Sequence, residues 1–374
     1  MSQVRKALTR FSLVFVTTVS FGQTLLTTIP VPDYPQAMAI NTFTDRVYVL
    51  EESANQVTEI DGSTHAGVAI PLGKNSISSL NGALAINPFT NKIYAVDGVN
   101  NHLSIIDGPT HAVTQINVGN APVALALNPA TNTIYVVNQS DNTVSVIDGT
   151  TLATTTIPVG AGPTGIAVDW VQNTVYVVNF SSSSLTIIRP KSTTTIPVGV
   201  DPTCVAVDIT THTAYVVNRD GGTVSVINGG VVTATVAAGR DPEAIAVNRV
   251  TDKIYVSNFD DNVVVIDGKT NAVTTVSAGT TPNGIAIDEL RDKIYVSNGD
   301  YACLTIIDGK TNTSTTTGNI GNGAMAVNVN VLANQVYVAV AYPNASQVGI
   351  FSGANGEFLP NAFDALMGPV SSIR

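Results

Sequence analysis

A tyrosine inside a β-forming run recurs along this chain at Tyr48, Tyr94, Tyr135, Tyr176, Tyr215, Tyr255, Tyr295 and Tyr337, at intervals of 46, 41, 41, 39, 40, 40 and 42 residues. A period near forty confines the fold to an array, in which each unit buries its apolar face against its neighbours. Two further markers keep step. Asn or Asp recurs at Asn41, Asn87, Asn128, Asp169, Asp208, Asn248, Asp288 and Asn328. Two residues before each stands an alanine: Ala39, Ala85, Ala126, Ala167, Ala206, Ala246, Ala286 and Ala326. Three markers in eight registers define eight units.

Each unit carries four short strand signals. In the unit over 241–279 they fall at 244–247, 253–257, 263–266 and 272–276, separated by Asn, Asp and Gly turns. Four antiparallel strands in forty residues make one blade of a β-propeller. The expected fold class is therefore all-β, a propeller of four-stranded blades. A composition with 12% charged residues and many Val, Ile, Thr and Tyr favours sheet over helix. First-, second- and third-strand signals each occur eight times. The last unit offers only a weak fourth-strand signal at 357–359, while an extra copy lies ahead of the first unit at 24–31. The economical reading is eight blades, closed by the N-terminal strand pairing with 348–351. Seven blades plus an added end unit is the alternative. The small alanine suits an inner strand where blades crowd, the Asn or Asp suits a turn, and the tyrosine suits packing between blades with its hydroxyl at a wetter edge.

The segments Tyr135-Val136-Val137-Asn138, Tyr176-Val177-Val178-Asn179, Tyr215-Val216-Val217-Asn218, Tyr255-Val256-Ser257-Asn258 and Tyr295-Val296-Ser297-Asn298 resemble the YVTN β-propeller repeat family. The third-strand run Val144-Ser145-Val146-Ile147-Asp148-Gly149 matches as well. The resemblance spans roughly residues 24–353, with units one, two and eight departing in the last two letters. It implies a propeller of a kind common in exported and surface proteins, and no single activity.

The N-terminus reads as a secretory signal. Arg5, Lys6 and Arg10 precede an apolar run over 11–21, too short to span a bilayer as a helix, and small Ser20 and Gly22 place the mature start at Gln23. The expected layout is a signal peptide at 1–22, the propeller at 23–353 and a tail at 354–374. Export to the periplasm, cell surface or medium follows, with no transmembrane segment in the mature chain. The formal charge of -10 argues against a nucleic-acid partner. Cys204 and Cys303 fall two blades apart and are expected to stay unbonded.

Chemistry-bearing motifs are scarce. The four histidines do not converge: His65, His111 and His212 fall in loops of one face, here called lower, and His102 on the opposite, upper face. Asp61, Asp107, Asp148, Asp267 and Asp308 each precede Gly at one repeat position and read as hairpin turns. No nucleophile elbow, phosphate loop, haem attachment motif or zinc spacing is present, and no cofactor or metal is expected. The informative positions are those that break the repeat. Upper loops of units five to seven hold Arg219, Arg240, Asp241, Glu243, Phe259, Asp260, Asp261 and Tyr301, a candidate ligand-binding patch of mixed charge with two aromatics. The expected function is an exported, monomeric binding or scaffold protein presenting loops to a protein or glycan. The alternative is a lactonase-like or lyase-like enzyme acting at the upper mouth of the channel. A surface-layer or adhesion subunit is a third, weaker reading.

Overall fold

The computed structural model describes residues 23–32, 34–51, 54–73, 83–300, 303–317, 323–341 and 346–355. The expected signal segment, Tyr301, the weak strand signal at 357–359 and the tail beyond 355 lie outside the described residues. The described residues form thirty-two strands in eight antiparallel four-stranded sheets, with no helix among them. In blade 6 the strands are Pro242–Asn248, Lys253–Asn258, Asn262–Asp267 and Val273–Ser277, running from the channel outwards. First strands of successive blades touch one another, and that of blade 8 touches that of blade 1, so the blades form a ring.

The ring closes as expected. The N-terminal strand Leu25–Pro30 is the outer strand of blade 8 and pairs antiparallel with Gln347–Ser352, setting Ile29 opposite Val348. The first and last described strands are thereby tied into one sheet.

Burial follows strand order. Second strands are buried almost throughout, fourth strands are largely exposed, and first strands are half-buried where they line the channel. Eight apolar clusters fill the eight seams. At the 5/6 seam Tyr215, Val217 and Val226 meet Ile254, Val256 and Ile266. At the closing seam Ile29, Tyr337 and Ile350 meet Val47, Val49 and Ile60. Each blade is thus held by neighbours on both sides, which makes the ring one packing unit.

The turn chemistry explains the Asn and Asp marker. Asn41 Oδ1 accepts from the Phe43 amide at 3.1 Å, and Asp208 Oδ1 from the Thr210 amide at 2.7 Å. The same side chains bridge the seams. Asn41 Nδ2 donates to Asn91 Oδ1 at 2.7 Å, Asn87 to Asn132 at 2.9 Å, Asn128 to Asn173 at 2.8 Å and Asn248 to Asp292 at 2.8 Å. At the closing seam Asn330 donates to Asp45 at 2.7 Å. The acceptors sit at positive φ just before the second strand, a conformation that Asn and Asp tolerate well. A belt of side-chain bonds therefore runs around the lower face.

Two expectations are corrected. In blade 8 the markers are Asn328 and Asn330, not Ala326 and Asn328. Asn328 lies opposite Tyr337, where Ala39 lies opposite Tyr48 in blade 1. A larger side chain is accommodated there because Asn328 Nδ2 reaches the Met38 carbonyl across the closing seam, at 3.3 Å. The tyrosine hydroxyls do not all reach a wetter edge: those of Tyr48, Tyr94 and Tyr255 are buried, and that of Tyr337 donates to Gln335 Oε1 at 2.6 Å. The Asp-Gly positions are turns, as expected, and their glycine answers to crowding: a Cβ on Gly268 would stand 2.0 Å from Asp252 Oδ1.

Candidate functional site

The eight sequence-predicted site residues separate into two ion pairs, two turn residues, an aromatic and one undescribed position. Arg219 follows the second strand of blade 5, and Glu243 is the second residue of the first strand of blade 6. Arg219 Nη2 and Glu243 Oε1 stand 2.8 Å apart across the 5/6 seam at the upper mouth. Burial pushes the Glu243 carboxyl above its ordinary range; Arg219 opposes that shift and Asp241 adds to it. Arg240 and Asp260 pair more loosely, Nε to Oδ1 at 3.4 Å, with the arginine 67% exposed. Arg240 Nη2 also donates to the Phe259 carbonyl at 3.2 Å, and the Phe259 ring is exposed beside it. Surface pairs of this kind contribute at most about 1 kcal/mol, so these arginines remain able to exchange partners.

Asp241 and Asp261 serve architecture. Asp241 has φ 43° in the turn before a first strand, where Ala121 and Thr281 have φ 50° and 49°. Asp261 has φ 56°, as Asn142 does at 54°, and its Oδ1 accepts from the Thr281 amide at 3.1 Å. The upper patch therefore reduces to Arg219, Glu243, Arg240, Asp260 and Phe259, spread over the 5/6 seam and the adjoining loop.

The lower face holds what the loop-by-loop reading missed. At the channel's lower mouth Arg249 and Glu289 form a largely buried pair between the turns of blades 6 and 7, with Nε 2.9 Å from Oε1. Arg291 Nη1 stands 2.7 Å from Asp288 Oδ2, and both side chains are nearly buried. A cavity of about 370 Å³ opens there, lined by Ile40, Val247, Arg249, Ile287, Glu289 and Asn328 among others.

A second lower cavity, of about 310 Å³, lies at the 1/2 seam between Arg46, Tyr48, Glu59, Asn91 and His111. Glu59 accepts from Arg46 Nε at 3.2 Å and stands 3.1 Å from His111 Nε2. The sequence did carry a signal for it. Glu59 pairs across the sheet with Tyr48, a slot filled by Ile105, Val146, Ile187, Val226, Val265, Ile306 and Ile350 in the other blades.

The histidines remain dispersed. His65 and His111 share one left-handed position, with φ 59° and 57°, and His212 occupies the turn that precedes a second strand, with Nδ1 2.7 Å from Asp169 Oδ2. Among the described residues no group of three His, Cys, Asp or Glu side chains is placed to hold a metal ion. Cys204 and Cys303 are both free thiols. No described helix is long and apolar enough to cross a membrane.

No protein-family model matches the chain, and no curated protein matches it. The fold is similar to that of the C-terminal WD40 domain of Sif2, with a TM-score of 0.72 and 13% identity over 89% of this chain and 99% of that one. That likeness identifies the chain as a β-propeller with four-stranded blades.

Proposed function

We propose that this protein is an exported binding scaffold of the YVTN-repeat type, whose propeller presents upper-face loops of blades 5 to 7 to a protein or glycan partner. Support for export is the basic, apolar and small-residue order of the first 22 residues. The observation that carries the binding reading is a contrast. The positions that build the ring repeat from blade to blade, whereas the upper loops around the 5/6 seam hold exchangeable Arg–carboxylate pairs beside exposed Phe259. Arginine and aromatic side chains on a stiff frame are the groups that most often anchor recognition. Mixed charge across the seam would fix the orientation of what binds.

The test compares capture from extracts of the native host. The Arg219→Ala/Arg240→Ala double variant should lose the partner that the unmodified protein retains, while a lower-face Trp170→Ala variant should keep it. Loss only in the Trp170 variant would overturn the upper-face assignment. A stoichiometric metal in the purified protein, by elemental analysis, would favour the enzymatic alternative instead.

A further inference from the structure

We propose that the seam between blades 1 and 2 carries a second binding site, on the lower face, for a neutral saccharide. Glu59 sets this seam apart from the others. It occupies a slot that seven other blades fill with Ile or Val, and its side chain is only 12% exposed. A carboxylate there is costly unless its oxygens are engaged, and both are: Arg46 Nε holds Oε1 at 3.2 Å, and His111 from the next blade stands 3.1 Å from Oε2. Arg46 is itself held a second time, by Asp61 Oδ2 at 2.7 Å. The result is an oriented polar set at a position that the fold alone would keep apolar.

The space beside this set is open. The cavity of about 310 Å³ is bounded by Thr44, Arg46, Tyr48 and Glu59 on one blade and by Asn91 and His111 on the other. That is at the small end of ligand pockets, roughly 300–1,000 Å³, and suits one ring rather than a peptide. Tyr48 lines it, and its buried phenol lies beside the Glu59 carboxylate; burial first, then the Glu59 charge and hydrogen bond, raise that phenol above its ordinary range.

An aromatic shelf stands at the same seam. Phe43 and Phe89 belong to the turns that also supply Thr44 and Asn91. Their rings stack with centroids 6.3 Å apart, and they are 51% and 63% exposed. Two exposed, mutually stacked phenylalanines have no role in the seam's apolar cluster, which lies within the blades.

These features select a ligand class. Arg46 is already neutralised by two carboxylates, so the set offers no net positive charge to an anion. Oriented donors and acceptors in one small cavity, next to a flat apolar shelf, match a ring that carries hydroxyls on its edge and C–H groups on its face. Each sugar hydroxyl both donates and accepts, so it can donate to the Glu59 carboxylate while accepting from the Arg46 guanidinium. The ring face would cover the phenylalanine shelf.

The test uses the mature full-length protein against an array of neutral hexose and N-acetylhexosamine oligosaccharides, with sialylated glycans and tyrosine-containing peptides as competing probes. Retained neutral sugars are then titrated calorimetrically. Two variants decide the site. Phe43→Ala/Phe89→Ala alters only exposed side chains. Glu59→Ile installs the residue type that the other blades carry and so should fold well. Each should weaken neutral-sugar binding by about tenfold or more, equivalent to about 1.4 kcal/mol, while Trp170→Ala, in the turn that follows the first strand of blade 4, leaves it unchanged. The proposal is overturned if no neutral sugar is retained, if only sialylated glycans or peptides are, or if both folded variants bind as the parent does. Should Glu59→Ile fail to fold, the phenylalanine variant decides alone. The upper-face reading is untouched by either result.

Discussion

The belt of Asn and Asp side chains around the lower face shows most sharply what one residue can do. At six of the eight seams a donor on the end of a first strand, or His212 facing Asp169, completes a bond to the next blade's turn. At the 5/6 seam the corresponding atoms are Asp208 Oδ2 and Asp252 Oδ1, two buried carboxylate oxygens, and neither has a partner. Burial first, and then the Asp208 charge, raise the Asp252 carboxyl above its ordinary range. A raised acid contributes stability that is fully present below its unfolded value and is lost as pH rises through its folded one. Asp208→Asn supplies the missing Nδ2 donor while keeping the oxygen that caps the Thr210 turn. We expect the variant to be more stable than the parent at neutral pH by about 1–3 kcal/mol, with the gain shrinking towards pH 3. Urea melts at several pH values measure it. A less stable variant at neutral pH would show that the pair is satisfied in some other way.

At the scale of the strand, the asparagine that closes the second strand is a staple. Asn138 Nδ2 donates to Thr143 and Ser145 on the third strand, each at 3.0 Å, and Asn138 Oδ1 accepts from the Gly119 amide at 3.1 Å. Asn218 donates to Thr223 and Ser225 in the same way. Blade 1 replaces this residue by Glu51, whose Oε2 takes the Gln56 amide at 2.6 Å while Oε1 stays buried and unpaired. Burial pushes Glu51 up to about 7, against the opposing hydrogen bonds of Thr58 and Gln56. The sign is the same as for Asp252. Stability is full below pH 4.5 and falls as pH rises through about 7. Glu51→Gln should remove that fall, gaining on the order of 2–3 kcal/mol at pH 8 and almost nothing at pH 4. Thermal melts of both proteins across that range decide it, and a gain of equal size at both ends would contradict the assignment.

The elements were legible in the sequence because each blade spells its turns with Asn, Asp and Gly at fixed offsets. The misreading in blade 8 has a local cause. Ala326 and Asn328 imitate the marker two residues early, and only the pairing of Asn328 with Tyr337 reveals the true register. The candidate site was legible in part. Arg219 and Arg240 stand out as departures in upper loops, and Glu59 stands out as a carboxylate in an apolar slot once blades are superimposed. What no single repeat could show is which residues meet across a seam. Arg46 with His111, Phe43 with Phe89 and Arg249 with Glu289 are brought together by blade packing, over separations of 40 to 65 residues.

At the scale of the whole molecule, stability rests on closure of the ring. All eight seams hold an apolar cluster, and the closing one differs from the rest only in borrowing Ile29 and Val31 from the far end of the chain. If those residues hold the ring shut, the propeller unfolds as one cooperative unit whose stability depends on the N-terminal strand. The direct measurement is the melting of the mature protein against a variant that lacks residues 24–31, with each secondary structure verified by circular dichroism. Removing the strand strips the outer face of blade 8 and takes Ile29 and Val31 out of the closing seam. The account predicts a loss of several kcal/mol and a clearly lower melting temperature. A truncated protein that melts as the mature one does would contradict closure by this strand.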